Sequence, residues 1–342
     1  MQWMEIAPKD TRYIYPTGRI RGLEKYLFKG TDYMRIREGK SLEESFQILL
    51  RFYPYSDSMK VCESAGDFER GLEEEWKRTY FELRSFAPEK ELVDVFWLDQ
   101  DFHNIKVLFK IKTGQMDMSL ADIYLSATGT TDPNLLKDAV FKEDFFNLSE
   151  FFKELMREVH VLVEKKSSSR EIDIFLDKRY YQYLFNLLTS FDDTFLRELV
   201  EKIIDIYNIE TCLRIKLWNR EDAREIITQS VVEGGGISTV ELTSIAEGPV
   251  ESLLDCLKGT GYAAFLQKIL EEWKEEGSLF KIEDMKKNVL LDFTHRGFYV
   301  TYGREPLINY IWQKKWEINN LRAILRAKKA ALSLEEMEKM GV

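Results

Sequence analysis

The sequence contains few of the residues on which disulfide-rich and metal-binding proteins depend. Among its 342 residues are three cysteines, seven prolines and three histidines. The cysteines are odd in number and far apart, so no disulfide framework is predicted and a reducing compartment fits best. No histidine stands in a metal-binding spacing such as HExxH, and we expect ordinary structural roles for His103, His160 and His295.

Long apolar runs are also missing. No stretch approaches the roughly 18 consecutive apolar residues of a membrane-spanning helix, and the opening, MQWMEIAPKD, lacks the features of a signal peptide. We therefore expect a cytoplasmic protein without a direct membrane span, which reaches a membrane only through a partner.

An excess of positive charge is absent as well. The formal net charge is −10, whereas binding to a phosphate backbone requires a basic face, so we expect no nucleic-acid partner. Acidic segments such as GLEEEWKR and LEEWKEEG carry charges of both signs at helical spacing, which predicts solvated helix faces. A docking surface for a basic partner is the alternative interpretation of these segments.

Apolar residues recur at helical spacing along nearly the whole chain. The composition, with 44% hydrophobic and 32% charged residues, is that of a globular protein. Alternating patterns typical of strands are few, so the predicted fold class is all-α. The clearest breaks between helices are Thr113 to Gln115, Ser167 to Ser169 and Gly234 to Gly236.

One short pattern, called the signature from here on, occurs three times. It consists of an acid, Asn at +3, an aliphatic residue at +4, a basic residue at +9 and Lys at +11. The first copy, DFHNIKVLFKIK, contains Asp101, Asn104, Ile105, Lys110 and Lys112. The second copy, DIYNIETCLRIK, contains Asp205, Asn208, Ile209, Arg214 and Lys216. The third copy, EINNLRAILRAK, contains Glu317, Asn320, Leu321, Arg326 and Lys328.

The three copies lie at nearly even spacing. Asp205 follows Asp101 by 104 residues, and Glu317 follows Asp205 by 112 residues. Five constrained positions that recur in this way predict three tandem related helical units with pseudo-threefold symmetry. A weaker echo supports the repeat, because Tyr55 in LRFYPY recurs as Tyr262 in LKGTGY. The predicted units are residues 1–113, 114–217 and 218–342.

The signature has the properties of a packing helix. On a helix, +4 and +11 share one face and +9 points about 180° away from +4, so the aliphatic residue at +4 belongs to a core stripe. An acid near the start and bases near the end suit the helix dipole. Because a buried Asn must find partners, we assign it a structural role, with a direct partner contact as the alternative. For the basic residues, packing and docking are equal alternatives.

The chain contains YIYPTGRIRGLEKYLF near its start and EPLINYIWQKKWEINNLRAILRAKKAAL near its end. Together with the signature, these two segments resemble the C subunit of V-type ATP synthases and ATPases, the counterpart of the d subunit of eukaryotic V-ATPases. The opening YIYPTGRIRGLEKYLF resembles the family's first helix through Tyr15, Arg19, Arg21, Glu24 and Leu27. The closing EPLINYIWQKKWEINNLRAILRAKKAAL resembles its C-terminal signature through Pro306, Tyr310, Glu317, Asn320, Leu321, Arg322 and Arg326. Pro16 and Gly18 depart from a helix-rich opening and leave the start of the first helix undefined.

What the resemblance implies is a non-catalytic adaptor in the central stalk of a rotary ATPase. The three helical units would close into a funnel that sits on the membrane rotor ring and receives the foot of the central shaft, coupling the two for ion transport. The implied partners are the shaft subunits and the ring, with a contact to the stator membrane subunit as a further expectation. The implied location is cytoplasmic, peripheral to the membrane through the ring, with no cofactor, metal or active site.

Two other classes of function stay open. FDDTFLRE, with Asp192 and Asp193, is similar to the aspartate-rich helix that binds magnesium and diphosphate in all-α terpenoid synthases, although Leu196 stands where a third acid is needed. An N-cap role for Asp192 or Asp193 is the simpler interpretation. The glycines of VVEGGGIS and KGTGY lack the Lys-Ser or Lys-Thr of a phosphate loop and predict turns. The alternatives are therefore an all-α metal-dependent diphosphate enzyme and a helical scaffold unrelated to ATPases.

Overall fold

The regular secondary structure of the described chain is entirely helical. The structure is a computed structural model, and it describes residues 10–218, 222–277, 279 and 281–339. Within these residues no strand is present, which confirms the all-α prediction. The chain packs as two compact units, a central unit of Trp97–Leu290 and a terminal unit of Met1–Phe96 with Leu291–Val342. The division into three sequence units stays a prediction.

The helices are numbered in chain order. The first six belong to the terminal unit: α1 Ile14–Leu23, α2 Gly30–Arg37, α3 Leu42–Leu49, α4 Tyr55–Ser58, α5 Phe68–Phe86 and α6 Lys90–Asp94. The next eleven are α7 Leu98–Lys112, α8 Ala121–Tyr124, α9 Pro133–Lys142, α10 Glu150–Glu164, α11 Ser169–Ser190, α12 Thr194–Leu217, α13 Ala223–Ser230, α14 Thr239–Ser244, α15 Glu251–Cys256, α16 Ala263–Glu276 and α17 Lys281–Thr294. A 3₁₀ turn, His295–Tyr299, precedes α18 Arg304–Lys329 and α19 Leu334–Lys339.

Side-chain caps explain several helix starts. Ser168 accepts a hydrogen bond from Glu171 N, and the Glu171 carboxylate accepts one from Ser168 N, which forms a capping box at the start of α11. Asp193 caps α12 by accepting from Phe195 N and Leu196 N. Since α7 ends at Lys112, α11 starts at Ser169 and α13 ends at Ser230, the three predicted breaks are confirmed.

The first helix begins at Ile14 in spite of its proline. Pro16 lies in the first turn of α1, where backbone N–H groups have no partner within the helix, so the missing proton costs no helical hydrogen bond. Gly18 is exposed and lies on the outer side of the same helix. The family-like opening is therefore a helix from its first turn.

The acidic segment GLEEEWKR is not simply a solvated helix face. Glu75 and Trp76 of α5 are buried, and the prediction for this part of the segment is wrong. Glu75 tolerates burial because the cationic side chains of Lys314 and Arg78 reach it. In LEEWKEEG, Glu272 is also buried, and its carboxylate accepts a hydrogen bond from Lys281 N.

Of the helices that lie in the described ranges, none combines the length and the apolar character needed to cross a bilayer.

Candidate functional site

The three copies of the signature lie in three long helices, α7, α12 and α18. Their +4 residues, Ile105, Ile209 and Leu321, are completely buried, as the core stripe predicted. The acid of each copy is also buried, and each receives hydrogen bonds from a segment distant in sequence. We call each acid with the groups that donate to it a socket, and number the sockets in the order of the acids.

The first socket is formed around Asp101 in the first turn of α7. Asp101 is fully buried, and its carboxylate accepts from Thr130 N at 2.9 Å, Thr130 Oγ1 at 2.7 Å and Thr131 N at 3.0 Å. A Cβ atom at Gly129 would lie 2.2 Å from Asp101 Oδ1. Only glycine therefore lets this turn close over the carboxylate.

The second socket repeats this design around Asp205 of α12. The carboxylate accepts from Ile237 N at 2.9 Å and from the Tyr262 hydroxyl at 3.1 Å. A Cβ atom at Gly235 would lie 2.4 Å from Asp205 Oδ1. The glycine run that predicted a turn is thus also the place where backbone approaches the acid closely.

The third socket is completed by the N-terminal part of the chain. Glu317 of α18 accepts from Phe28 N at 2.6 Å and from the Tyr55 hydroxyl at 2.6 Å. Tyr55 and Tyr262 are the residues of the sequence echo, and both hydroxyls bind a signature acid. Phe28 lies 289 residues from Glu317 in sequence, whereas Ile237 lies 32 residues from Asp205.

The asparagines of the first two copies hold backbone in the same way. Asn104 Oδ1 accepts from Ser126 N at 2.7 Å, and its Nδ2 donates to Ser126 O at 2.8 Å. Asn208 makes the same pair with Val232, at 2.9 and 2.8 Å. Both asparagines are completely buried. Asn320 departs from this pattern, since it is half-buried and hydrogen-bonds the side chain of Tyr33.

The +11 lysines of the first two copies reach carbonyl groups of neighbouring segments. Lys112 Nζ donates to Val140 O at 2.7 Å and lies 3.1 Å from His160 Nδ1. Lys216 Nζ donates to the carbonyls of Ile245 and Gly248, the latter at 2.9 Å. Lys328 is half-buried, and burial lowers the pKa of its ammonium group. These contacts favour the packing alternative for the +11 position.

The basic residues at +9 form ion pairs on the outer side of each helix. Lys110 pairs with Asp173 at 3.0 Å, Arg214 with Glu210 at 2.8 Å and Arg326 with Glu69 at 2.6 Å. All six side chains are partly exposed, so each pair stabilises the fold by about 0–1 kcal/mol. Arg326 is the most exposed of the three cations and remains the one most open to a partner.

The third socket also includes a cation, because Lys314 donates to Glu317, and this links the socket to a buried network of charges. Lys314 Nζ lies 2.6 Å from the Glu317 carboxylate and 2.9 Å from the Glu75 carboxylate, and all three side chains are at most 2% exposed. Arg78 donates two hydrogen bonds to Glu75, both 2.9 Å long. Burial alone would raise the pKa of Glu75, but Lys314 and Arg78 outweigh it and hold that pKa below its usual range.

The acids of the first two sockets have the opposite shift. Burial raises the pKa of Asp101 to about 6, against the lowering effect of its bonds to Thr130 and Thr131. Burial also raises the pKa of Asp205, and the bonds from Ile237 N and Tyr262 counteract this. Neither carboxylate has a cation within the socket, which is why desolvation dominates.

Asp101 makes the stability of the fold depend on pH. A carboxyl whose folded pKa of about 6 exceeds its ordinary 3.8 destabilises the fold when ionised, so the contribution of Asp101 to the free energy of unfolding should rise as pH falls from 7 to about 4. Two pKa units correspond to about 3 kcal/mol. Asp101→Asn should remove this part of the pH dependence, measured by urea unfolding at several pH values. Asp132→Asn, at an exposed N-cap that Asn serves equally well, is the control. Identical pH profiles for Asp101→Asn and the unsubstituted protein would contradict the assignment.

Arg21 of the family-like opening also contacts the segment that precedes α18. Arg21 Nη2 donates to Gly297 O at 3.0 Å, Phe298 O at 2.8 Å and Val300 O at 2.9 Å. A Cβ atom at Gly297 would lie 2.2 Å from the carbonyl oxygen of Glu305. Arg21 therefore fixes the turn that leads into α18, which joins the N-terminal helix to the C-terminal signature helix.

The aspartate pair considered for metal binding has another role. Asp193 is the N-cap of α12, which confirms the N-cap interpretation, while the Asp192 side chain is fully exposed at a backbone φ of +48°. In the part of the chain that the structure describes, no group of three or more His, Cys, Asp or Glu residues is arranged to hold a metal ion.

The sequence prediction found the acids and asparagines but missed the groups that meet them. The sequence paired Tyr55 with Tyr262 as equivalent positions, but it did not predict that their hydroxyls donate to the signature acids. Lys314 and Glu75 carried no signal, since they lie far apart in sequence. The carboxylate oxygens of the signature acids already accept hydrogen bonds from groups of the same chain. The geometry therefore supports a packing role for these acids rather than acid–base chemistry.

Comparisons with known proteins identify the family of this chain. Residues 16–340 match the family model described as ATP synthase (C/AC39) subunit. The C subunit of the V-type sodium ATPase of Enterococcus hirae is 29% identical over 273 residues, which cover 80% of this chain and 81% of that relative. The C subunit of the A-type ATP synthase of Methanocaldococcus jannaschii is 25% identical over 98% of this chain and 87% of its own length. That of Pyrococcus abyssi is 25% identical over 98% of this chain and 92% of its own. This chain therefore belongs to the ATP synthase (C/AC39) subunit family.

Proposed function

We propose that this protein is a non-catalytic adaptor of the central stalk, which couples the central shaft of a rotary ATPase to its membrane rotor ring. Membership of the family supports a role as a subunit of such a complex. The adaptor role itself rests on which segments of the chain donate hydrogen bonds to the three signature acids. The proposed location is cytoplasmic, peripheral to the membrane through the ring.

The observation that carries the proposal is the origin of the third socket. Asp101 and Asp205 are met by residues that follow them in sequence, whereas Glu317 is met by Phe28 and Tyr55 from the beginning of the chain. If the three sequence units are equivalent, the first unit supplies to the third what segments later in the chain supply to the first two acids. The three units would then be joined in a closed cycle. The proposed result is a funnel of three units with pseudo-threefold symmetry, a form suited to a ring-shaped partner.

The proposal assigns the protein no chemistry of its own. Its buried acids accept hydrogen bonds from fixed internal groups, and the carboxylates Glu75 and Glu317 are paired with Lys314. Such groups hold segments together and would pass torque through a stiff body. The proposed partners are the shaft subunits and the rotor ring, with the stator membrane subunit as a further contact.

A deletion and rescue experiment tests this function. In cells that lack the protein, we expect detergent-solubilised ring and shaft to purify separately and ATP-driven ion pumping to be lost. Adding back the tagged protein should restore their co-purification and pumping together. A fully coupled ATPase that assembles without the protein would refute the adaptor role.

A further inference from the structure

Aromatic side chains of the terminal unit form an exposed line that takes no part in the sockets. Tyr15 is 64% exposed, Phe81 59%, Tyr26 49% and Tyr53 46%. Isolated exposed rings are ordinary, but Tyr15, Tyr53 and Tyr26 are linked to one another through two arginines and one glutamate. Phe81 belongs to α5, the helix that carries the glutamate and one of the arginines. We call this set the aromatic–arginine stripe.

The first half of the stripe centres on Arg19 of α1. Its guanidinium donates to the Tyr15 hydroxyl and to Glu82 of α5, both at 3.3 Å. The same guanidinium lies over the Phe86 ring, 5.1 Å from its centre. Arg19 therefore ties the exposed ring of α1 to the surface of α5.

The second half continues from Glu82 along α5. Glu82 accepts from Arg78 at 2.8 Å, and the Arg78 guanidinium lies 5.9 Å from the centre of the Tyr53 ring. Tyr53 meets Tyr26 edge to face, with ring centres 4.8 Å apart. Phe81 lies one helical turn from Arg78. Its ring meets that of Tyr80, with ring centres 5.2 Å apart. Each ring of the stripe is thus held by a contact of its own before any partner arrives.

This composition is that of the energetic centre of a protein interface. Tyrosine and arginine are enriched among residues that dominate binding energy, and charged residues other than arginine are depleted there. Rings that are already fixed lose little conformational freedom on binding, which raises the share of contact energy that appears as affinity. The stripe therefore fits a protein partner better than a solvated surface.

The charges around the stripe indicate the chemistry of the partner. Lys25 precedes Tyr26, Arg51 lies two residues before Tyr53, and Lys77 lies one turn before Phe81; all three are exposed. The nearby carboxylate of Asp57 is paired with Lys60 at 2.6 Å.

The two compact units also differ strongly in charge. The central unit holds 24 Lys and Arg against 35 Asp and Glu, a formal charge of −11. The terminal unit holds 25 against 24, a formal charge of +1. The net charge of the central unit therefore repels an acidic partner, whereas that of the terminal unit does not.

We propose that the aromatic–arginine stripe docks an amphipathic helix of another subunit, whose apolar side chains cover the rings and whose flanking carboxylates face Lys25, Arg51 and Lys77. Apolar residues at i, i+3 or i+4 and i+7 are the pattern that such a helix presents to a surface of this kind. That the partner is a subunit of a rotary ATPase rests on the function proposed above. An anionic lipid surface is disfavoured because the Glu82 carboxylate stands between the two arginines.

The test uses the ring and the shaft of the rotary ATPase, purified separately from cells that lack this protein, as immobilised probes for the added full-length chain. Tyr15→Ala with Phe81→Ala should weaken binding by roughly tenfold or more, since two exposed anchors are removed. Tyr124→Ala with Phe146→Ala, at exposed aromatic residues of the central unit, should leave binding within about twofold. Lys77→Glu should weaken binding most at low salt.

The outcomes distinguish a failure of the docking proposal from a failure of the proposed adaptor function. Unchanged melting temperatures are expected because the substituted rings are exposed, and Arg19→Glu provides a second variant that keeps the rings. If the stripe variants bind the ATPase as well as the unsubstituted chain, the stripe proposal is overturned and the adaptor role stands. If the unsubstituted chain does not bind, both are overturned. Binding to phosphatidylglycerol vesicles that the stripe variants lose would assign the stripe to a lipid surface and overturn the protein partner.

Discussion

Lys314→Met is expected to lower the free energy of unfolding by about 3–5 kcal/mol, the usual result of removing one partner of a buried ion pair. The Lys314 ammonium lies between the carboxylates of Glu317, at 2.6 Å, and Glu75, at 2.9 Å, and its side chain is 1% exposed. Methionine fills the volume but leaves both carboxylates without this cation. Their mutual repulsion and desolvation then act against the folded state. Urea unfolding at pH 7 measures the loss.

Compensating changes identify the cause of that loss. Adding Glu75→Gln and Glu317→Gln to Lys314→Met removes the buried negative charges, so part of the stability should return. Lys315→Met is the same substitution at the next residue. Because Lys315 is only half-buried, this substitution should lower the free energy of unfolding by less than about 1 kcal/mol. If Lys314→Met were no more costly than Lys315→Met, the network would not contribute to stability.

Glu75 and Asp101 act on stability with opposite signs as pH changes. The pKa of Glu75 is held below its ordinary value, so its contribution is present above that value and is lost as pH falls through the folded pKa. The pKa of Asp101 is raised, so its unfavourable contribution disappears as pH falls. The difference follows from the neighbours: Glu75 has Lys314 and Arg78, whereas Asp101 has only neutral donors.

The sequence predicted the helices because helical periodicity and caps are local. It also identified the signature acids and asparagines, because the signature recurs within short windows. The network around Lys314 could not be found in this way. The position three residues before the acid is Leu98, Lys202 and Lys314 in the three copies, so it forms no pattern. Glu75, the partner of Lys314, is contributed by a helix from the other end of the chain.

The origin of the third socket was hidden by the order of the chain. Tyr55 stands before Asp101 in sequence, so a repeat followed along the chain places it with the first acid. Its hydroxyl instead binds Glu317, as that of Tyr262 binds Asp205. The sequence echo correctly paired Tyr55 with Tyr262 as equivalent residues. Only the folded structure shows to which acid each hydroxyl donates. The close approach of Gly129 and Gly235 to their acids is likewise visible only in the folded structure.

Asn208→Ala is expected to lower the free energy of unfolding by about 2–4 kcal/mol, because it leaves two buried backbone groups without partners. Asn208 is completely buried and holds both Val232 N–H and Val232 C=O. Alanine supplies neither an acceptor nor a donor for these two groups. Asn104→Ala should cost a similar amount, since it makes the same pair with Ser126.

The third copy provides the matched control for this loss. Asn320 is half-buried and bonds the side chain of Tyr33 rather than a buried backbone pair, so Asn320→Ala should cost less than about 1 kcal/mol. Asn208→Asp keeps an acceptor for Val232 N but repels Val232 O, and its cost should approach that of alanine. Thermal unfolding and binding to the purified ATPase are measured on the same samples. If Asn208→Ala kept the melting temperature but lost binding, the asparagine would be a docking residue, because a buried structural bond cannot be removed without weakening the fold that presents the surface.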